Sequence, residues 1–131
     1  MAFATLAKAS IRIKRINMGF NYQFLKREEG LVIEFKGRIL DKSDATEMYQ
    51  RFEEKIELGE QLFFVDLSQI DYMNSGGLNI LISMLNLCRN HYGKLVLCGA
   101  TEKVKQLIIT SKLQQIFTLE DSLEEAFKNH Q

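Results

Sequence analysis

The chain has 131 residues, 46% of them apolar and 26% charged, the size and make-up of one globular domain with its own core and too little for two. Seventeen Lys and Arg balance seventeen Asp and Glu, so overall charge gives no reason to expect nucleic acid, an anionic membrane or an acidic substrate. Apolar runs such as Leu62 to Val65 and Leu95 to Cys98 fall far short of the ~18 residues of a membrane-spanning helix, and Cys88 and Cys98, with no CxxC pair, suggest two free thiols in a reducing cytosol rather than a disulfide framework or a zinc site.

Residues 1–21 hold Lys8, Arg12, Lys14 and Arg15 and no acid, which leaves a balance of −4 on the rest of the chain. This stretch lacks the continuous apolar segment and small-residue cleavage site of a secretory signal, and it reads as a weakly ordered basic extension ahead of a domain at 22–131. Met18 offers an alternative translation start. Tyr22 to Arg27 is a weak strand, turned by Glu28-Glu29-Gly30 into a period-2 strand, Gly30 to Gly37, in which Leu31, Ile33 and Phe35 alternate with Val32, Glu34 and Lys36. The pair reads as a hairpin. Ser43 or Asp44 then offers a helix cap, with Glu47 completing a capping box after Asp44, and Ala45, Met48, Phe52 and Ile56 form a core stripe that ends at Gly59.

Gln61 to Leu67 has the continuous apolar character of a strand covered on both faces. Ser68 to Met73 reads as a connection leading into Asn74-Ser75-Gly76-Gly77, after which Leu78, Leu81, Leu85, Cys88 and Tyr92 mark one face of a helix ending at Gly93. Leu95 to Cys98 is a further buried strand, Thr101 caps a helix through about Thr110, and Ile116 to Leu119 is a short last strand. Ser122 with Glu125 caps a final helix that buries Leu123, Ala126 and Phe127. The resulting order, β-β-α-β-α-β-α-β-α, is an α/β layer fold with a mixed or mostly parallel sheet of about four to five strands and about four helices.

In such folds the groups that do work gather where strands end and helices begin, and Ser75 stands there. Gly76 and Gly77 remove side chains from the first turn and leave its amides open to an incoming oxygen, at a helix-propensity cost of about 1 kcal/mol each. They serve a binding site, or they simply permit a cap and close packing on the sheet; the residues alone leave both readings standing. A serine hydrolase would recruit His91 and Asp71, but Met73 breaks the G-x-S-x-G elbow and His91 lies ~24 Å further along the same helix. No phosphate-binding P-loop occurs. Between Ser75 and Arg89 the helix carries no charge. A second apolar row, Ile80, Met84 and Leu87, runs beside an uncharged polar row, Asn79, Ser83, Asn86 and Asn90. A helix on a small sheet usually turns charges to solvent, so this face is expected to meet a protein partner rather than to be deeply buried.

Val65-Asp66-Leu67-Ser68-Gln69-Ile70-Asp71-Tyr72-Met73-Asn74-Ser75-Gly76-Gly77-Leu78, with Gly93-Lys94-Leu95-Val96-Leu97-Cys98-Gly99 and Leu113 to Ala126, resembles the STAS domain of bacterial anti-sigma-factor antagonists over roughly residues 22–128. The resemblance implies a small cytoplasmic switch rather than an enzyme, with neither cofactor nor metal. Unphosphorylated, such a protein binds an anti-sigma factor that is also a serine kinase of the GHKL type and so frees the sigma factor. The kinase phosphorylates a serine at the start of the helix, here Ser75, and a PP2C-type phosphatase reverses it. The implied partner-binding set is Asp41, Asn74, Ser75, Gly76, Gly77, Asn79, Ile80 and Ser83. The family usually has Asp before the phosphoacceptor and Ser or Thr after it, where this chain has Asn74 and Gly76; Asn74 keeps the capping ability without the charge. Asp41 corresponds to an acidic residue that follows the glycine closing the early strand, here Gly37, and equally fits a plain turn residue. The alternative within the same fold is a STAS subunit of a membrane transport complex that docks on an ATPase without phosphorylation.

Overall fold

The computed structural model describes residues 19–130. Strand β1 (Phe20–Lys26) pairs antiparallel with β2 (Leu31–Ile39), from Phe20 opposite Gly37 to Lys26 opposite Leu31. The expected hairpin is therefore present. β1 begins at Phe20, itself 4% exposed, so two residues counted with the basic extension belong to the sheet; the rest of that extension, through Met18, lies outside the described residues.

A 3-10 turn, Lys42–Ala45, leads into helix α1 (Thr46–Glu57). Here the capping expectation fails. Asp44 accepts from the backbone N–H of Leu40 and of Asp41 rather than capping a helix with Glu47, and Glu47 accepts instead from the Tyr22 hydroxyl at 2.5 Å. The cap position of α1 falls to Ala45, which has no capping side chain. The helix holds through its buried stripe of Met48, Phe52 and Ile56, as tertiary packing outweighs end effects in a short amphipathic helix.

Strand β3 runs from Leu62 to Met73, so Ser68 to Met73 is strand and not connection. Its second half keeps pairing with β2, Lys36 opposite Gln69 and Ile39 opposite Met73, across two register shifts at Glu34/Lys36 and Gly37/Arg38. Gly37, at φ +100°, supplies the backbone conformation that such an irregularity needs. Then follow α2 (Ser75–Asn90), β4 (Lys94–Cys98), α3 (Glu102–Thr110), β5 (Thr118–Glu120) and α4 (Leu123–Asn129). The sheet order is β1-β2-β3-β4-β5, antiparallel at the first pair and parallel thereafter.

Successive strand residues point to opposite faces, and the two faces bury different sets. Ile33, Phe63, Val65, Leu95 and Leu97 join residues of α1, α2 and α3 in the larger core. Val32, Phe64, Val96 and Cys98 form a smaller cluster with Ala126 of α4, where Phe127 meets Phe64 edge-on at 5.0 Å. Each fully buried apolar side chain contributes about 1.5–3 kcal/mol. Covered on both sides at their middles, β3 and β4 are anchored, and the carboxyl ends of β2 and β3 emerge together at one end of the sheet.

Candidate functional site

At that end, Asn74 is the N-cap of α2. Its backbone is extended, and its side-chain Oδ1 accepts from the amides of Gly76 (2.9 Å) and Gly77 (3.2 Å). Its Nδ2 donates to the Leu40 carbonyl at 2.7 Å, and its own amide donates to the Ile39 carbonyl at 3.3 Å. The amides of the glycine pair are thus occupied from within the chain. The expectation that they stand open to an incoming oxygen is corrected accordingly.

The glycines have packing reasons as well. A Cβ on Gly77 would lie 2.6 Å from Met73 Cγ and 3.0 Å from Ile39 Cβ, and one on Gly76 would lie 3.2 Å from the Leu40 carbonyl oxygen and 3.5 Å from Asp41 Cα. The backbone of Leu40 and Asp41 therefore runs directly against the first turn of α2. That segment is fixed from its other side, where Asp44 accepts from the amides of Leu40 and Asp41, and the Ser43 hydroxyl donates to the Asp41 carboxylate at 3.1 Å. Asp41 is exposed beside Gly76, so two segments 34 residues apart form one continuous surface.

Ser75, the first residue of α2, is exposed, and so is Asn79 one turn later. Ser83, a further turn on, is half-buried and lines a groove of about 280 Å³ with Lys42, Ala45, Thr46, Tyr49, Gln50 and Ile80. Of the sequence-derived set, Asp41, Asn74, Ser75, Gly76, Asn79 and Ser83 thus reach the surface at this end. Gly77 and Ile80 do not. Ile80 is 3% exposed and Met84 is fully buried, which corrects the reading of the second apolar row as a partner face. That row is covered because α2 packs against the 3-10 turn and α1 as well as against the sheet, so its buried arc is wider than one layer would require. The uncharged polar row, Asn79 and Asn86 in particular, is what remains outside.

Sequence reasoning passed over three contributors. Leu40 takes part through a main-chain carbonyl, which no side-chain pattern can announce. Tyr72 and Leu40, 44% and 43% exposed, give this end an apolar rim, and the Arg38 guanidinium sits 5.9 Å from the Tyr72 ring centre. Their signal was the placement of large apolar residues at the polar ends of strands.

What the arrangement offers chemically is an exposed serine at the start of α2. His91 is the C-cap of α2, at the opposite end from Ser75, and its Nδ1 is engaged by the Leu87 carbonyl at 3.0 Å. The described residues contain no group of three or more His, Cys, Asp or Glu suited to a metal ion. Both cysteines are free and buried, and burial pushes the Cys88 thiol up to about 11 and the Cys98 thiol to about 12, so neither is a nucleophile at neutral pH.

A model of the STAS domain matches residues 21–126. The chain belongs to the STAS family. This STAS domain is 26% identical over 98 residues, 75% of its own length and 84% of the relative's, to BtrV of Bordetella bronchiseptica, which is named as a candidate anti-sigma factor antagonist. Its fold superimposes on an anti-sigma factor antagonist from Mycobacterium paratuberculosis with a TM-score of 0.75 at 19% identity, over 86% of this chain and 94% of that one. SpoIIAA, an anti-sigma factor antagonist and Bacillus cell fate determinant, matches in two forms. The unphosphorylated form gives a TM-score of 0.69 at 18% identity over 85% of this chain and 95% of that one. The phosphorylated form gives 0.67 at 17% identity over 85% of this chain and the whole of the other. Among the described residues, no helix of this STAS domain is long and apolar enough to cross a membrane.

Proposed function

We propose that this STAS domain is an anti-sigma factor antagonist of the cytoplasm, a binding switch without catalytic activity of its own, and that Ser75 is its phosphoacceptor. The partner is an anti-sigma factor that is also a GHKL-type serine kinase, and a PP2C-type phosphatase restores the unmodified form. The observation that carries the reading is the exposed Ser75 hydroxyl at the first position of α2, beside the Asp41 turn and above the uncharged Asn79 row.

Difference in desolvation drives the switch. A neutral hydroxyl and carboxamides lose their water at modest cost when a protein surface closes over them. A phosphate of charge about −1.5 to −2 does not. A charge covered without a compensating partner costs about 3–5 kcal/mol, a loss of affinity of about a hundredfold to several thousandfold. The phosphate at the same time stands at a helix N-terminus, where the backbone dipole favours negative charge, so modification releases the partner without unfolding the domain.

The test pairs purified candidate kinases from the same genome with three forms of the protein. Ser75→Ala is expected to bind at least as well as the unmodified chain, Ser75→Asp to lose binding by a hundredfold or more while keeping its circular dichroism spectrum, and mass spectrometry after incubation with ATP to find phosphate on the peptide containing Ser75. Equal binding of Ser75→Asp and wild type would refute the switch.

A further inference from the structure

We propose that Asn74 is a positioning residue whose amide group latches the Leu40–Asp41 turn to the start of α2, so that Asp41 and Ser75 are presented to a partner as one rigid surface. The proposal rests on the reading of this end of the domain as the partner-binding face.

Capping alone does not account for Asn74. Ser, Thr and Asp cap a helix about as well as Asn, because the cap needs only an oxygen acceptor for the second and third amides. What separates Asn from the others is a second arm that donates. Both arms are in use here: Oδ1 takes the amides of Gly76 and Gly77, and Nδ2 reaches across to the Leu40 carbonyl at 2.7 Å. With two donors on one side and an acceptor on the other, only one orientation of the amide satisfies all three contacts. An aspartate would set a carboxylate oxygen against a carbonyl oxygen, and a serine hydroxyl would stop a bond short of it.

The latch closes a circuit. Leu40 and Asp41 are held by their own amides to Asp44 on one side and, through the Leu40 carbonyl, to Asn74 on the other. Gly76 keeps the space between them clear, since a Cβ there would press on both ends of the latch, the Leu40 carbonyl oxygen and Asn74 Oδ1, each at 3.2 Å. The 3-10 turn that carries Asp41 precedes α1, whereas Ser75 opens α2. Asn74 is thus the residue that converts two separately anchored elements into a single face.

The test uses Asn74→Ser, which keeps a neutral cap and removes the reach to Leu40. In the free protein, amide hydrogen exchange at Leu40 and Asp41 is expected to quicken by about fivefold, the equivalent of one ordinary hydrogen bond, while the amides of Gly76 and Gly77 stay protected. Unchanged exchange at Leu40 and Asp41 would overturn the latch whether or not any partner binds. With the partner kinase, Asp41→Ala is expected to weaken binding in the wild-type background and to add little in the Asn74→Ser background; strictly additive losses would overturn the positioning role. Failure of the partner reading shows elsewhere, as full binding of Ser75→Asp, and leaves the exchange result to decide the latch. Asn74→Asp provides the second variant: it retains the cap, and its exchange at Leu40 and Asp41 is expected to quicken as in Asn74→Ser, protection equal to wild type again refuting the latch.

Discussion

Gly77→Ala separates a glycine required by packing from one tolerated by chance. In the first turn of a helix, alanine in place of glycine improves local propensity by at most about 1 kcal/mol. Against this stands the contact that the new methyl would make: 2.6 Å from Met73 Cγ and 3.0 Å from both Cβ and Cγ2 of Ile39. Met73 is flexible and 6% exposed, so its side chain can swing aside. Ile39 is fully buried and β-branched, with its Cβ fixed to the backbone of β2, so it cannot. The start of α2 must lift from the sheet by several tenths of an ångström, which loosens the packing beneath Leu78 and Leu81. Overpacking of this kind costs about 2–3 kcal/mol, and subtracting the propensity gain leaves a net loss of about 1–2 kcal/mol. Thermal unfolding followed by circular dichroism should then show a fall in Tm of roughly 4–7 °C, while Asn79→Ala on the exposed side of the same helix leaves Tm nearly unchanged. A Tm for Gly77→Ala at or above wild type would refute the argument, since propensity would have won and the close approach to Ile39 would carry no energetic weight.

Three further outcomes follow from ionisable groups. Cys88 and Cys98 are expected to resist a thiol reagent at pH 8 in the native protein and to react fully in denaturant; rapid native labelling of either would contradict their burial. Their thiols are raised from 9.0 to about 11 and about 12, so the unfolded chain gives up these protons first, and stability that is whole below about pH 9 should decline as pH rises through the folded values, a decline that Cys88→Ala makes smaller. At the acid end, hydrogen bonds from His130, at 2.6 Å, and from Asn129 hold the Glu120 carboxyl below its usual 4.5. Its contribution is present above that pH and lost as pH falls through the lowered value, so urea denaturation of Glu120→Gln should show a weaker dependence on pH below 4.5 than wild type; identical slopes would dismiss the pair.

Much of this fold was legible because periodicity records which side of an element is covered. Met48, Phe52 and Ile56 announced α1, and the run around Phe63 and Phe64 announced a strand buried on both faces. The errors arose where coverage depends on a neighbour that the local sequence cannot name. Ser68 to Met73 looked like a connection because it is polar, yet α4 covers the second face at Val32, Phe64 and Val96, and beyond that the continuing strand turns residues such as Ser68 to solvent. The row of Ile80 and Met84 looked like a partner face because it adds to an arc already wide enough for a sheet; the 3-10 turn and α1 take it up instead. Of the candidate site, the serine and its glycines were visible as a local motif. The Leu40 carbonyl was not, since a main-chain acceptor 34 residues away leaves no mark on composition.

The arrangement at Ser75 gains meaning from the other strand-to-helix junctions of the same sheet. At α3 the Thr101 hydroxyl accepts from the Val104 amide, and at α4 the Ser122 hydroxyl accepts from the Glu125 amide at 3.1 Å; in both cases the hydroxyl is itself the cap and is committed to the backbone. At α2 the cap is a carboxamide, and the hydroxyl stands one residue further on, inside the helix and exposed. A group added to Thr101 or Ser122 would compete with the bond that starts the helix and would couple modification to stability. A group added to Ser75 meets no such bond, because Asn74 has already taken the two amides. Displacing the serine by one position therefore uncouples the surface chemistry of this junction from the folding of the helix that displays it, which is the physical requirement for a site that alters binding and leaves the domain standing.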